Sequence, residues 1–221
     1  MKTLIVWRHA KASSAKAGGS DHDRKLSKRG RKDAKRVGKH WKAEGGAPEF
    51  IVASTAPRAY DTAETGLKAA LKNLSDEEKT RYVLCADQRL YMTGTEEHLT
   101  VLRGLSDVHQ KAALCGHNPS LEALVYALTG EAVAMPTGSF ATIHLNIDRW
   151  GELSEGGHRL DGFIEGAAVL EALEAQRNAR AVGAEAGRLL SGKALKRVVK
   201  TIGSRKKFLK ALGTELSKAK K

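Results

Sequence analysis

The chain has 221 residues, 41% of them hydrophobic and 29% charged, with a net charge of +13. That length supports one domain with a substantial core and not two large ones, and the composition excludes wholesale disorder. The opening MKTLIVWRHA has too short an apolar run for a secretory signal, no stretch of about 18 apolar residues offers a membrane span, and the charge is uneven, with net +4 over residues 1–164 and net +9 over residues 165–221.

Thr3–Trp7 is β-branched and apolar and predicts a buried strand. Residues 8–27 are polar and rich in Ala, Gly and Ser, and read as a loop. Ser27 predicts the N-cap of a helix running to about Glu44 and ended by Gly45-Gly46. A second strand follows at Phe50–Ala53, then a helix from Arg58 to Asn73, a surface segment at Asp76–Lys79 and a third strand at Tyr82–Cys85. Glu96–Leu105 reads as a helix and Ala112–Cys115 as a fourth strand. Pro119 suits the first turn of a helix that stops at Gly130. Phe140–Ile147 alternates as a strand at or near a sheet edge, and Leu160–Ile164 reads as one more. Cys85 and Cys115 lack CxxC spacing and read as buried free thiols of a cytoplasmic protein.

Strands alternating with helices predict an α/β fold, a three-layer αβα sandwich around a mostly parallel sheet. We divide the chain into a domain of residues 1–164 and a basic, helical C-terminal extension of residues 165–221. In the extension, Leu195, Val198, Val199 and Ile202 keep helical spacing among lysines and arginines.

In parallel sheets the ligand crevice lies beyond the carboxyl ends of the strands, and here those ends carry polar groups suited to one task. The first strand ends in Arg8-His9. The second is followed by Ser54, Arg58 and Thr62, the third by Tyr91 and the pair Glu96-Glu97, and the fourth by Gly116-His117-Asn118-Pro119. A neutral imidazole can attack phosphorus, so that one hard displacement becomes two easier ones. The transferring group carries negative charge and needs fixed cationic donors, for which arginine forks suit better than lysine.

These residues resemble the histidine phosphatase superfamily (phosphoglycerate-mutase-like), and within it the short SixA-type phosphohistidine phosphatases. Arg8-His9-Ala10 is similar to the family's opening Arg-His-Gly, and Asp23-Arg24-Lys25-Leu26 with Arg29-Gly30 to a second block. Ser54 to Ala63 is similar to a third block, and Gly116-His117-Asn118-Pro119 to the second histidine block, all in family order over roughly residues 1–148. The resemblance implies that His9 is the phosphorylated nucleophile and that Arg8, Arg58 and His117 bind the phosphoryl group. Asn118 is a further phosphate ligand or shapes the turn. Glu96 or Glu97 is the candidate general acid, although SixA-type members often lack an obvious one. No metal or organic cofactor is implied. Arg24 and Ser14 lie in a loop near the pocket, and Ser54 orients its own loop.

The expected activity is a phosphatase, with a phosphohistidine protein as the favoured substrate. The alternatives are a broad-specificity phosphomonoesterase of small molecules and a weakly active adaptor that binds phosphoryl groups or polyanions. The basic extension itself is open to polyanion contact, docking on an anionic membrane or an acidic partner, or a solvated helical appendage.

Overall fold

The computed structural model describes residues 1–15 and 18–164, with Gly166 and Arg177. Apart from those last two residues, the basic extension over 165–221 lies outside the described residues. Six strands form one sheet: β1 (Lys2–Arg8), β2 (Phe50–Ser54), β3 (Val83–Asp87), β4 (Lys111–Gly116), β5 (Phe140–Leu145) and β6 (Arg159–Ile164). Their order is β3-β2-β4-β1-β5-β6. The first four run parallel. β5 lies antiparallel to β1, and β6 antiparallel to β5. The helices are α1 (Lys28–Ala43), α2 (Pro57–Ala70), the single turn α3 (Asp76–Lys79), α4 (Thr95–Arg103) and α5 (Ser120–Thr129).

Alternation along β1 separates the layers. Leu4 and Val6 share a core with Leu99 and Leu102 of α4 and with Leu121, Leu124 and Leu128 of α5. Trp7 faces the other side, its ring 4.9 Å from that of Trp41 on α1. α1 forms because Ala34, Val37, Gly38 and Trp41 recur on one buried stripe, and because Ser27 Oγ accepts a hydrogen bond from Gly30 N at 3.0 Å. α5 ends where Gly130 adopts φ 75°, the left-handed conformation that glycine takes without strain.

α1 and α2 cross backbone to backbone. A Cβ at Gly38 would lie 1.9 Å from the Gly66 carbonyl oxygen, so Gly38→Ala must push two helices apart. It is expected to cost about 2–3 kcal/mol of stability, measured as a fall in Tm. An unchanged Tm would show that the crossing relaxes freely.

The structure shifts several expected features. α2 ends at Ala70 and not at Asn73, since the chain turns there, with Leu74 N donating to Leu71 O. The surface segment at Asp76–Lys79 is a helical turn held by a Ser75–Glu78 capping box. β6 takes the sheet edge, which leaves β5 one strand inside it. Cys115 is buried, but Cys85 is only half-buried because β3 is the opposite edge strand. His144 is also half-buried, with Nε2 3.1 Å from Asp161.

Antiparallel entry of β5 matters for the site. Phe140 pairs with Trp7, so β5 begins at the carboxyl edge of the parallel strands, and the segment from 131 to 139 must cross that edge before the strand starts.

Candidate active site

A cavity of about 830 Å³ opens at this edge. Arg8, His9, Arg58 and His117 all line it. Parallel strands place β1, β2 and β4 carboxyl ends side by side, which is why residues more than a hundred apart in sequence meet here.

His9 is held from both sides. Its amide donates to Gly116 O at 3.1 Å, and its carbonyl accepts from Gly138 N at 3.0 Å. Nδ1 lies 2.8 Å from the Ala10 carbonyl oxygen. Only a protonated Nδ1 can donate there, so the neutral ring keeps its lone pair on Nε2. Burial holds the imidazole down to about 4, helped by the Arg58, Arg8 and Arg24 charges and opposed by the Ala10 hydrogen bond. The ring is therefore neutral and nucleophilic throughout the neutral range.

His117 stands beside it, with ring centroids 5.0 Å apart. Its Nε2 lies 2.9 Å from Ser54 Oγ, and its buried Nδ1 has no partner among the described residues. Burial, then the His9 ring and Arg58, push this imidazole down to about 3, against the pull of Asp21. Ser54 is buried and serves to fix that ring. Thr62, one turn into α2, accepts from Ala10 N at 3.1 Å and donates to Arg58 O at 2.6 Å.

Both arginines are anchored. Arg8 Nη1 donates to Met135 O at 2.5 Å, and its buried Nε has no partner among the described residues. Arg58, in the first turn of α2, is only 4% exposed. Its Nη1 donates to Asp21 O at 2.5 Å, and its Nη2 reaches Asp21 Oδ2 at 2.8 Å. The guanidinium carbon sits 5.8 Å from the centre of the Tyr91 ring, which in turn packs edge-on against His117.

The structure brings Arg8, His9, Arg58 and His117 together and places the other candidates differently. Asn118 lines the cavity, but both of its amide protons are committed, to Glu122 Oε1 at 2.6 Å and Met135 O at 3.1 Å. It shapes the wall and has no donor left for a phosphate oxygen. Glu96 is not among the lining residues. Its carboxylate is 69% exposed and pairs with Arg103 at 2.6 Å, which corrects its assignment as general acid. Glu97 accepts from Gly94 N at 3.1 Å and so caps α4. Ser14 stays off the cavity wall, whereas Arg24 is on it.

Among the described residues, two carboxylates do line the cavity, Asp21 and Asp33. Asp21 takes Arg24 at 2.9 Å as well as Arg58, and the Arg24 hydrogen bond leads in holding it below the usual carboxylate range. Asp33 pairs with Arg36 at 3.0 Å and Arg29 at 3.7 Å. Asp21 escaped the sequence because its partner Arg58 lies 37 residues away, beyond α1 and β2, and Met135 because only its carbonyl acts.

The pH dependence has a clear sign. Were His9 to attack phosphorus it would have to be neutral, so the enzyme contribution to kcat/KM for a small phosphate ester should stay level from pH 7 to about 5 and fall only as pH approaches 4. Fold stability behaves differently. The unfolded imidazole gains its proton near 6.5, and the folded one near 4, so stability falls as pH drops through that window. An acid limb of kcat/KM centred near 6.5 would mean that His9 is solvated.

Comparison with known proteins agrees with the geometry. A family model described as the histidine phosphatase superfamily (branch 1) matches residues 4–81. An uncharacterized protein of Mycobacterium tuberculosis is 30% identical over 168 residues, covering 71% of this chain and 97% of its own. An uncharacterized chloroplastic protein of Arabidopsis thaliana is 28% identical over 170 residues, covering 74% and 77%. Among solved structures, the protein histidine phosphatase SixA complexed with tungstate superposes with a TM-score of 0.61 at 20% identity, over 76% of this chain and 99% of that one. A mycobacterial glucosyl-3-phosphoglycerate phosphatase gives 0.52 at 17%, over 75% and 100%. At those identities the two superpositions speak for the fold. Among the described residues, no helix is long and apolar enough to cross a membrane.

Proposed function

We propose that this chain, which belongs to the histidine phosphatase superfamily and is a histidine-type phosphatase, removes phosphoryl groups from protein histidines through an intermediate on His9. His9 Nε2 attacks phosphorus while the bond from phosphorus to the leaving imidazole nitrogen breaks. Arg8, Arg58 and His117 hold the equatorial oxygens as charge spreads over them. Water then attacks the phosphorus on His9, the bond to Nε2 breaks, and inorganic phosphate leaves.

One observation carries the choice of a phosphoramidate over a phosphate ester. Among the described residues, both carboxylates that line the cavity are engaged by arginines, and Asp21 is held ionised. An alkoxide leaving group needs a protein acid to protonate it, whereas a phosphoramidate nitrogen is basic enough to take its proton from water. The SixA neighbour was solved with tungstate, a tetrahedral oxyanion, which supports phosphate as the occupant of this edge of the sheet.

The test is single-turnover chemistry. Incubation with phosphoramidate, followed by an alkaline quench and peptide mapping, should place one phosphoryl group on His9. A phosphohistidine peptide should exceed a phosphoserine peptide of matched sequence in kcat/KM by about 10²-fold or more, the size of effect that one missing acid produces. A preference of that size for the ester would replace this reading with a small-molecule phosphomonoesterase. An adduct on any residue other than His9 would overturn the mechanism.

A further inference from the structure

α1 carries more charge than its fold requires. Lys28, Lys32, Lys35, Lys39 and Lys42 are all exposed. Their spacing of i, i+4, i+7, i+11 and i+14 puts them in one stripe along the helix. At about 1.5 Å per residue the stripe runs roughly 21 Å.

Among the described residues, no carboxylate of α1 or α2 pairs with it. The one acid within α1, Asp33, is buried and engaged by Arg29 and Arg36. On α2, Asp61 pairs with Arg31 at 3.1 Å and Glu64 with Lys68 at 2.7 Å. None of the five lysines has a carboxylate partner among the described residues. Like charges at i, i+4 cost a few tenths of a kcal/mol per pair in an isolated helix, so the stripe opposes the stability of the helix that carries it.

The stripe begins one residue before a lining residue of the catalytic cavity. Lys28 stands next to Arg29, which lines the cavity together with Lys11 and Arg24. A phosphoryl group held at His9 therefore presents its carrier at a mouth beside which the lysines of α1 begin. Lysine heads are compact, hydrated point charges on flexible stems. They suit a surface of scattered carboxylates, and the stripe offers no aromatic ring on which a nucleobase could stack.

We infer that the α1 lysine stripe docks the acidic face of the phosphorylated protein that delivers its phosphohistidine to His9. This rests on the phosphohistidine reading, but its test separates the two. Two synthetic phosphohistidine peptides, one with a glutamate-rich flank and one with a glutamine-rich flank, are compared as substrates. At about 25 mM salt the wild-type protein should favour the glutamate peptide by about tenfold in kcat/KM, and the preference should collapse at about 0.5 M salt. The triple variant Lys32→Glu/Lys35→Glu/Lys39→Glu should lose the preference and keep its turnover of p-nitrophenyl phosphate. Fluorescence anisotropy of the unphosphorylated glutamate peptide reads docking without chemistry, and should show the same loss in the triple variant.

Equal kcat/KM for the two peptides, or a preference that survives in the triple variant, overturns the inference. So does a DNA duplex that displaces the glutamate peptide at a lower charge concentration than the peptide's own, since the stripe would then be a nucleic-acid surface. Failure of the phosphohistidine reading looks different. Both peptides would then resist hydrolysis while p-nitrophenyl phosphate turns over and the anisotropy still reports docking.

Discussion

His9→Ala should abolish turnover, with a loss of about 10⁴-fold or more in kcat, and leave the fold in place. The size follows from what the ring does. In the mechanism we propose, no covalent intermediate forms without Nε2, and water would have to attack the substrate phosphorus directly. Fold retention follows from what the ring does not do. Its Nδ1 bond goes to the carbonyl of the next residue, while the main chain is tied through Gly116 and Gly138, and alanine keeps both ties. Burying the imidazole also depresses its proton affinity, so alanine removes a group that weakens the fold in acid. The variant should therefore lose part of the stability change between pH 6.5 and about 4. Two measurements check this: steady-state turnover, and circular-dichroism melting at pH 7 and pH 5. Residual turnover within a hundredfold of wild type would mean that His9 is not the nucleophile.

Much of this site was legible from residue order alone. Arg8, His9 and His117 could be placed because each follows an apolar run that reads as a strand, and parallel strands deliver their carboxyl ends to one edge. Arg58 could be placed because it opens the helix that follows the second strand, within the block from Ser54 to Ala63. Ser27 and Gly130 set helix ends through cap chemistry that depends on one or two neighbours. What stayed hidden depends on distant contacts. The Asp21 clamp on Arg58, the Met135 carbonyl on Arg8 and the reversal of direction at β5 each join segments with no shared local pattern. Glu96 misled for a related reason. Its position after the third strand suggested the cavity, but α4 is capped at Gly94, and the turn directs Glu96 to Arg103. Cap position decides which way a first-turn carboxylate points, and a one-residue shift of the cap rotates the side chain by about 100°.

Arg58→Ala should lower kcat/KM by about 10²–10³-fold, the second largest loss in the site. Removing one preorganised donor from a developing oxyanion costs about 2.7–4 kcal/mol of transition-state stabilisation, and Arg58 is placed as such a donor. It is 4% exposed and fixed by Asp21 through both a carbonyl and a carboxylate. Arg58→Lys restores the charge but not the planar fork, and should recover less than a tenth of the loss. Asp21→Asn separates holding from binding. It weakens one of the contacts that aim the guanidinium and leaves the donor itself in place, so its effect should stay below about tenfold and fall mainly on kcat, because the misaimed fork meets the transition state less well than the bound substrate. Equal losses for Asp21→Asn and Arg58→Ala would instead make Asp21 part of the chemistry. That result would reopen the choice of substrate, because a carboxylate able to donate a proton would let the same cavity cleave phosphate esters.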